Sequence, residues 1–268
     1  MLCYFQGYHD ISQVLLLVLG RKGAFPALEK ISVFRIRDYM LPSLSPAIRH
    51  LQLLPAILKA ADSKLCDHIS GAKPYFALAA TLTLYAHDIQ EYGDIARLYD
   101  FILAYEPVLS IYLFASIVLS RRDELLEIPI DEPEMIHVTL SKLPQSLNLD
   151  TLISDTLQIY HDYPPTSLPF RVWRHISSHS VLKTLLGPVS QETKEHAEEH
   201  FARQAQELKR EERRQQAVMF LRKNSRSIGF TGAAVLVGLL SYWVSRKGAG
   251  TNWALLRYFG MGEYFNWL

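Results

Sequence analysis

Residues 97–126 read RLYDFILAYEPVLSIYLFASIVLSRRDELL, and this stretch decides the fold class. Its apolar side chains recur at helical spacing, which predicts helices over Ile95–Leu103 and Ile111–Leu119. The preceding segment, Tyr75–Tyr85, is apolar enough to be buried on all sides. The stretch therefore indicates a helical core rather than a sheet.

Helical spacing continues on both sides of this core. Towards the N-terminus, Asp10 is expected to cap a helix that Gly20 ends, and Ser45-Pro46 opens another. Towards the C-terminus, Thr151–His161 is predicted to be a helix between prolines. Because alternating strand patterns with turn dipeptides are scarce, residues 1–180 are predicted to be all-α.

Composition narrows the range of functions. The 268 residues allow one large domain or two small ones, and 49% hydrophobic residues supply a sizeable core. Lys and Arg (28) nearly balance Asp and Glu (27), which argues against a dedicated nucleic-acid binder.

The two cysteines, Cys3 and Cys66, have no CxxC spacing, so we expect a reducing compartment and no disulfide framework. The apolar run Val14–Leu19 lacks the basic start and the cleavage site of a signal peptide.

The composition changes towards the C-terminus. From Gln191 to Arg226 the chain is rich in Glu, Lys, Arg and Gln, which predicts an exposed stalk helix. A weak coiled coil and a membrane-surface helix remain alternatives, because the segment carries a narrow apolar stripe. The stripe consists of Ala197, Phe201, Ala205 and Leu208.

A charge-free segment, Ile228–Val244, follows the stalk. About 17–25 apolar residues cross the hydrocarbon core of a bilayer, so this segment is predicted to be a short membrane span. Its length suits a thin membrane such as the endoplasmic reticulum, with the lipid bilayer as a partner. More basic residues precede the span than follow it, which predicts a cytosolic helical domain and a short lumenal tail over residues 246–268.

Few catalytic patterns occur in the sequence. It has neither a GxxxxGK[ST] phosphate loop nor a GxSxG nucleophile elbow. His196, Glu199 and His200 fit the HxxEH spelling of some zinc proteases, and two histidines one helical turn apart can share a metal. The match lies in a glutamate-rich segment with no cleft expected around it, so we expect no metal site.

The stretch YFQGYHD (Tyr4–Asp10) resembles the YxQGxxD motif of the TBC domain, the all-helical module of Rab GTPase-activating proteins. The resemblance continues in Pro74–Ile89 and Arg97–Leu126, which look like the family's later conserved block. Within that block RLYD matches the RLxD element, in which Arg97 and Asp100 are expected to be structural. The resemblance implies a multi-helix, all-α fold.

Two further segments, PQSLNLDTLISD (144–155) and YPP (163–165), are similar to the subgroup of this family anchored in the endoplasmic reticulum, which also ends in a C-terminal span. The resemblance divides the chain into a partial TBC domain, a charged stalk or linker, a transmembrane helix and a tail. These parts are expected at residues 1–175, 176–226, 227–245 and 246–268.

The resemblance implies a regulator rather than an enzyme with a reaction of its own. Such a protein needs no cofactor, because it acts on the GTP and Mg²⁺ bound by a Rab-family GTPase. In this family an arginine stabilises charge on the phosphates and a glutamine, matched here by Gln6, orients the attacking water. Gly7 is expected to let the loop approach another backbone closely, while Tyr4 and Asp10 fix the loop and cap the helix.

The family's arginine belongs to an IxxDxxR motif upstream of YxQG, and this sequence contains no counterpart of it. Two expectations follow. The sequence is part of a longer activator that regulates vesicle traffic between endoplasmic reticulum and Golgi, or it is a shortened relative. A shortened relative would bind a Rab protein without stimulating hydrolysis and serve as a membrane scaffold.

Overall fold

The computed structural model describes residues 2–144, 147–185, 193–224 and 235–243. Within these ranges the chain is helical and has no strand, which confirms the all-α class. Short 3₁₀ turns cover Arg37–Met40, Pro74–Ala77 and Pro169–Arg171. The helices are α1 (Tyr8–Phe34), α2 (Ser45–Leu51), α3 (Leu53–Ala61), α4 (Ser63–His68), α5 (Leu78–Leu82), α6 (Tyr92–Ala104), α7 (Leu109–Ser120), α8 (Arg122–Glu127), α9 (Pro133–Leu140), α10 (Leu149–Asp162), α11 (Val172–His175), α12 (Val181–Thr184) and α13 (Lys194–Lys223).

Helix α7 forms the centre of the first compact unit, which comprises Met1–Leu208. Its residues from Leu109 to Val118 are all buried, and it packs against α3 and α10. The contact with α10 includes a hydrogen bond of 3.0 Å from the Thr156 hydroxyl to the Ser116 hydroxyl. A helix surrounded by other helices needs this uniformly apolar composition, which explains why the stretch at 97–126 indicates the fold.

Several predicted helices are confirmed. The predictions over 95–103, 111–119 and 151–161 correspond to α6, α7 and α10, and Ser45 begins α2. The prediction that Tyr75–Tyr85 is buried throughout is wrong, since Tyr75 is 45% exposed. Helix α5 ends at Leu82, and the chain then turns through Leu84 and Tyr85, whose φ angles are 50° and 66°.

Helix α1 differs from its prediction at both ends. It begins at Tyr8 with Gly7 as its N-cap and no side-chain cap, so the prediction that Asp10 caps it is wrong. Asp10 lies instead in the first turn, where a negative charge is still favourable. Gly20 interrupts the helix with φ 62° and ψ 176°, but the chain resumes helical geometry and continues to Phe34.

Within the described part of the chain, α1 is also the one helix long and apolar enough to cross a membrane. Ile11, Val14 and Ile31 of this helix lie in the core, whereas the apolar residues 16–19 and Phe25 are exposed, and Gly20 divides the helix into two shorter pieces. The predicted span Ile228–Val244 lies mostly outside the described residues; residues 235–243 within it are helical with exposed side chains, and the span stays a prediction.

The segment after residue 175 contributes to the first unit. Val181 and Leu182 of α12 are buried, as are Ala197, Gln204 and Leu208 on the first half of α13. The second unit, Lys209–Leu268, contains the rest of α13, which is largely exposed. Within the predicted stalk, 176–226, the described helices are Val181–Thr184 and Lys194–Lys223, and its residues up to Leu208 belong to the first unit rather than to an exposed stalk. The predicted tail at 246–268 lies outside the described residues.

Candidate functional site

Gln6 is exposed at the rim of an open cleft of about 850 Å³. We call residues 3–7 the glutamine loop. One side of the cleft is formed by this loop and the first turn of α1, and the other by residues near α5. Much of the remaining lining is apolar and includes Leu41, Pro42, Leu44, Tyr75 and Leu78.

Contacts of Cys3 and Phe5, which precede Gln6, fix the glutamine loop. The backbone N–H of Cys3 donates to the carbonyl of Met40 at 2.8 Å. Phe5 is 6% exposed, and its ring meets the ring of Tyr39 edge to face at a centroid distance of 6.2 Å. The loop is therefore anchored while the Gln6 side chain remains accessible.

Gly7 follows Gln6 and is buried with φ 101°, a left-handed conformation that favours glycine. A Cβ atom at this position would lie 2.6 Å from the Cγ2 atom of Thr83. The expected close approach is therefore present, but it is made to a side chain rather than to a backbone. Glycine at this position lets the loop lie directly on the Thr83 methyl group.

The other predicted loop residues surround a pair of imidazoles. Tyr4 is 67% exposed, and its hydroxyl lies 3.3 Å from Nδ1 of His9. One carboxylate oxygen of Asp10 lies 3.2 Å from Nε2 of His9, and the other lies 3.4 Å from Nδ1 of His87. Asp10 thus connects the start of α1 with the segment that follows α5.

A second carboxyl group lies near this pair. Burial raises the pKa of Asp88; the charge of His87 lowers it and the charge of Asp10 raises it, with a net increase above the ordinary value. The Oδ2 atom of Asp88 is buried without a hydrogen-bond partner among the described residues. Asp88 therefore keeps its proton to a higher pH than an ordinary carboxyl group.

Arg97 and Asp100 of the RLxD element are not among the described residues that line the cleft. Arg97 on α6 forms an ion pair of 3.1 Å with Asp150 on α10, and both side chains are substantially exposed. Asp100 is exposed on α6. The structure thus separates this element from Gln6.

A buried polar cluster elsewhere in the first unit was not found from the sequence. Asp38 accepts hydrogen bonds from the Ser180 hydroxyl at 2.5 Å and from the backbone N–H of Val181 at 3.1 Å. Nε2 of His50 lies 3.0 Å from the Asp38 carboxylate and 3.2 Å from the Ser180 hydroxyl. A hydrolase triad uses both ring nitrogens, one for each partner, whereas this histidine uses one nitrogen for both and is buried.

The electrostatics of Asp38 also indicate a structural role. Burial alone would raise its pKa, but hydrogen bonding and charge from His50, the Ser180 hydroxyl and the charge of Arg37 together hold the pKa below its ordinary value. The cluster joins the 37–50 region to the segment after residue 175. Three residues so far apart in sequence carry no spacing signal that could have revealed it.

The HxxEH match makes other contacts. Nδ1 of His200 lies 3.0 Å from Nδ1 of His179, and Glu199 pairs with Arg203. No group of three or more His, Cys, Asp or Glu within the described residues could hold a metal ion.

Thr83 and His87 are two cleft residues that contact predicted loop residues and that sequence reasoning missed. They lie in Pro74–Ile89, the segment that resembles the family's conserved block. That resemblance is the one signal that pointed to this segment, and it assigned no role to either residue.

Comparison with known proteins supplies the family. Residues 1–126 match the family model of the Rab-GTPase-TBC domain. The chain is 37% identical over 191 residues to the GTPase-activating protein gyp10 of Schizosaccharomyces pombe, an alignment covering 70% of this chain and 51% of that protein. It is 37% identical over 167 residues to TBC1 domain family member 20 of Homo sapiens, covering 62% of this chain and 41% of that protein. The chain thus spans about half the length of these curated relatives, or less. On these matches, residues 1–126 belong to the Rab-GTPase-TBC domain family.

Proposed function

We propose that this chain binds a Rab-family GTPase in its GTP-bound state and accelerates hydrolysis, with Gln6 orienting the attacking water. The observation that carries this proposal is the placement of Gln6, exposed between two buried neighbours, Phe5 and Gly7. A side chain that enters another protein's active site must be accessible and held in a fixed position. An amide group can accept a hydrogen bond from water through its oxygen while its nitrogen donates to a second group.

The surroundings of Gln6 suit this task. Helix α1 begins two residues later, and the positive end of its dipole favours anionic groups such as the phosphates of bound GTP. Leu44 and Tyr75 are 43% and 45% exposed in the cleft, and they offer apolar contact area to a protein partner. GTP and Mg²⁺ would belong to the GTPase, so the activator needs no cofactor.

The relatives support the same proposal. The name of gyp10 describes a GTPase-activating protein, and the matched family is named for Rab GTPases. The names of the relatives specify no pathway, and we propose a role in traffic between endoplasmic reticulum and Golgi from the sequence resemblance alone. Membrane attachment through Ile228–Val244, with the helical domain in the cytosol, belongs to this proposal and rests on the sequence pattern.

One observation favours a second candidate, a Rab-binding scaffold without activity. The described residues that line the cleft include no arginine and no lysine. Phosphoryl transfer needs charge neutralisation, and an arginine finger typically contributes about 10³–10⁵ in rate. The chain on its own would then bind a Rab protein and stimulate it weakly or not at all.

Single-turnover GTP hydrolysis separates these candidates. The full chain is titrated against a panel of GTP-loaded Rab proteins, with and without low concentrations of guanidinium ion as a substitute for the missing side chain. We expect acceleration of at least one Rab protein and a loss on the order of 10²-fold in Gln6→Ala. Binding without acceleration under either condition would support the scaffold, and absence of binding to every Rab protein would contradict both candidates.

A further inference from the structure

We propose that residues 83–87, the support segment, position Gln6 for its task in the GTPase. Thr83 limits how closely the glutamine loop can approach the support segment. His87 holds the first turn of α1 through its contact with Asp10. The inference rests on the proposed function of Gln6, and it assigns roles to two residues that touch neither GTP nor the attacking water.

The first contact is between Thr83 and Gly7. Thr83 is 4% exposed, and its hydroxyl donates to the carbonyl of Ala79 at 2.9 Å. This hydrogen bond fixes the rotamer of a side chain that is already stiff at χ1 because it is branched at Cβ. The methyl group is thereby held against Gly7, at the position where a Cβ atom would come within 2.6 Å. Gln6 is the next residue along the loop, so its position depends on this contact.

The second contact is between His87 and Asp10. Nδ1 of His87 lies 3.4 Å from the Asp10 carboxylate, and the backbone N–H of Asp10 donates to the carbonyl of Gly7 at 3.1 Å. The support segment therefore reaches the glutamine loop both directly and through Asp10. Two connections, one to Gly7 itself and one to Asp10, restrict rotation of the loop as well as its translation.

The backbone of the support segment is itself unusual. Leu84 and Tyr85 both have positive φ, an unfavourable conformation for bulky residues that persists only where the surroundings enforce it. Tyr85 is completely buried, and its hydroxyl donates to the carbonyl of Ser110 on α7 at 2.6 Å. The central helix thus holds the turn that brings Thr83 and His87 to the glutamine loop. Such enforced conformations are concentrated at functional sites.

A matched pair of threonines tests the inference. Thr83→Ser removes the methyl group that contacts Gly7 and keeps the hydroxyl. Thr81→Ser removes the same group from a threonine that is 3% exposed on α5, has an equivalent hydrogen bond to Ala77 and is not part of the cleft lining. We expect Thr83→Ser to lower the hydrolysis rate at saturating activator about tenfold, because small misplacements of a positioning group have effects of this size. The activator concentration for half of the maximal rate should change little, and Thr81→Ser should leave both values unchanged.

Hydrogen exchange supplies a measurement that does not depend on activity. In the full chain, amides of residues 5–10 should exchange faster in Thr83→Ser and in His87→Ala, and at the wild-type rate in Thr81→Ser. Equal rates and equal exchange in the two threonine variants would overturn the inference. If the wild-type chain activates no Rab protein, the proposed function fails. The positioning role of the support segment is tested separately by hydrogen exchange, and unchanged exchange in both Thr83→Ser and His87→Ala would overturn it.

Discussion

Two of the aspartate–histidine pairs among the described residues differ in burial, and burial separates their roles. Asp38 and His50 are 0% and 2% exposed and lie 3.0 Å apart. Asp10 and His87 are 16% and 65% exposed and lie 3.4 Å apart. A buried pair must keep its partners, because an unpaired buried charge is expensive, whereas an exposed pair can exchange its contact for water or another protein. The first pair is therefore part of the architecture, and the second is available for function.

The carboxyl groups at these two places also differ in their electrostatics. At the buried pair, hydrogen bonds and neighbouring positive charge outweigh burial, and the pKa of Asp38 is lowered. Next to the exposed pair, burial dominates and the pKa of Asp88 is raised. Burial alone therefore does not set the direction of a carboxyl pKa shift here, because hydrogen bonds and neighbouring charges contribute as well.

The largest expected effect comes from breaking the buried pair. Asp38→Asn removes the charge and presents an amide nitrogen to a site built from donors, so we expect a loss of about 3–5 kcal/mol in the free energy of unfolding. Urea denaturation monitored by circular dichroism measures it. The matched control is Asp67→Asn, which breaks an exposed ion pair with Lys59 and should cost less than about 1 kcal/mol. Equal losses in the two variants would contradict the structural role of Asp38.

The same pair predicts a pH dependence. Because the pKa of Asp38 is lower in the folded state, its contribution to stability is complete above the ordinary carboxyl range and is lost as pH falls through the folded value. The difference in unfolding free energy between wild type and Asp38→Asn should thus be largest near neutral pH and shrink below about pH 4. Denaturation curves of both proteins across this range provide the measurement. A difference that grows on acidification would show that Asp38 is protonated in the native protein.

A smaller effect tests the packing beside the exposed pair. Gly7→Ala places a methyl group 2.6 Å from Thr83 at φ 101°, so backbone strain and overpacking together should cost about 2–4 kcal/mol. Gly20→Ala meets φ 62° and ψ 176°, a region that only glycine readily adopts, but has no atom within 4 Å of the new group, so backbone strain alone should cost about 1–3 kcal/mol. The melting temperatures of the two variants measure these costs. Combining Gly7→Ala with Thr83→Ser should recover part of the loss, since the second change removes the methyl group in the way.

The sequence could predict the helical elements because their cause is local. The apolar spacing over 97–126 fixes α6 and α7, and these helices appear almost at the predicted bounds. The end of helix α5 at Leu82 and the turn that follows it could not be predicted in the same way. They depend on the burial of Tyr85 and its hydrogen bond to Ser110, a contact between residues that are distant in the chain.

The candidate site was predictable from the sequence only in part. The YxQGxxD resemblance identified Gln6 and the loop around it, and the structure places this loop at a cleft. The cap was misassigned, because Asp10 is a favourable capping residue by type, while the chain reaches helical geometry already at Tyr8. Thr83, His87 and the Asp38 cluster depend on tertiary contacts that leave no trace in residue spacing.

The smallest expected effect concerns Arg97, whose ion pair with Asp150 is more exposed than the Asp10–His87 pair and lies outside the cleft lining. Arg97→Ala should lower the unfolding free energy by less than about 1 kcal/mol, because solvent screens the pair and two long side chains need not be held in place. It should also leave the acceleration of Rab hydrolysis unchanged, whereas His87→Ala should reduce it. Single-turnover assays on the two variants, made at equal folded fraction, compare an exposed ion pair inside the cleft with one outside it. If Arg97→Ala lost as much rate as His87→Ala, the RLxD element would contribute to the contact with the GTPase. Position at the cleft would then not distinguish the Asp10–His87 pair from the Arg97–Asp150 pair.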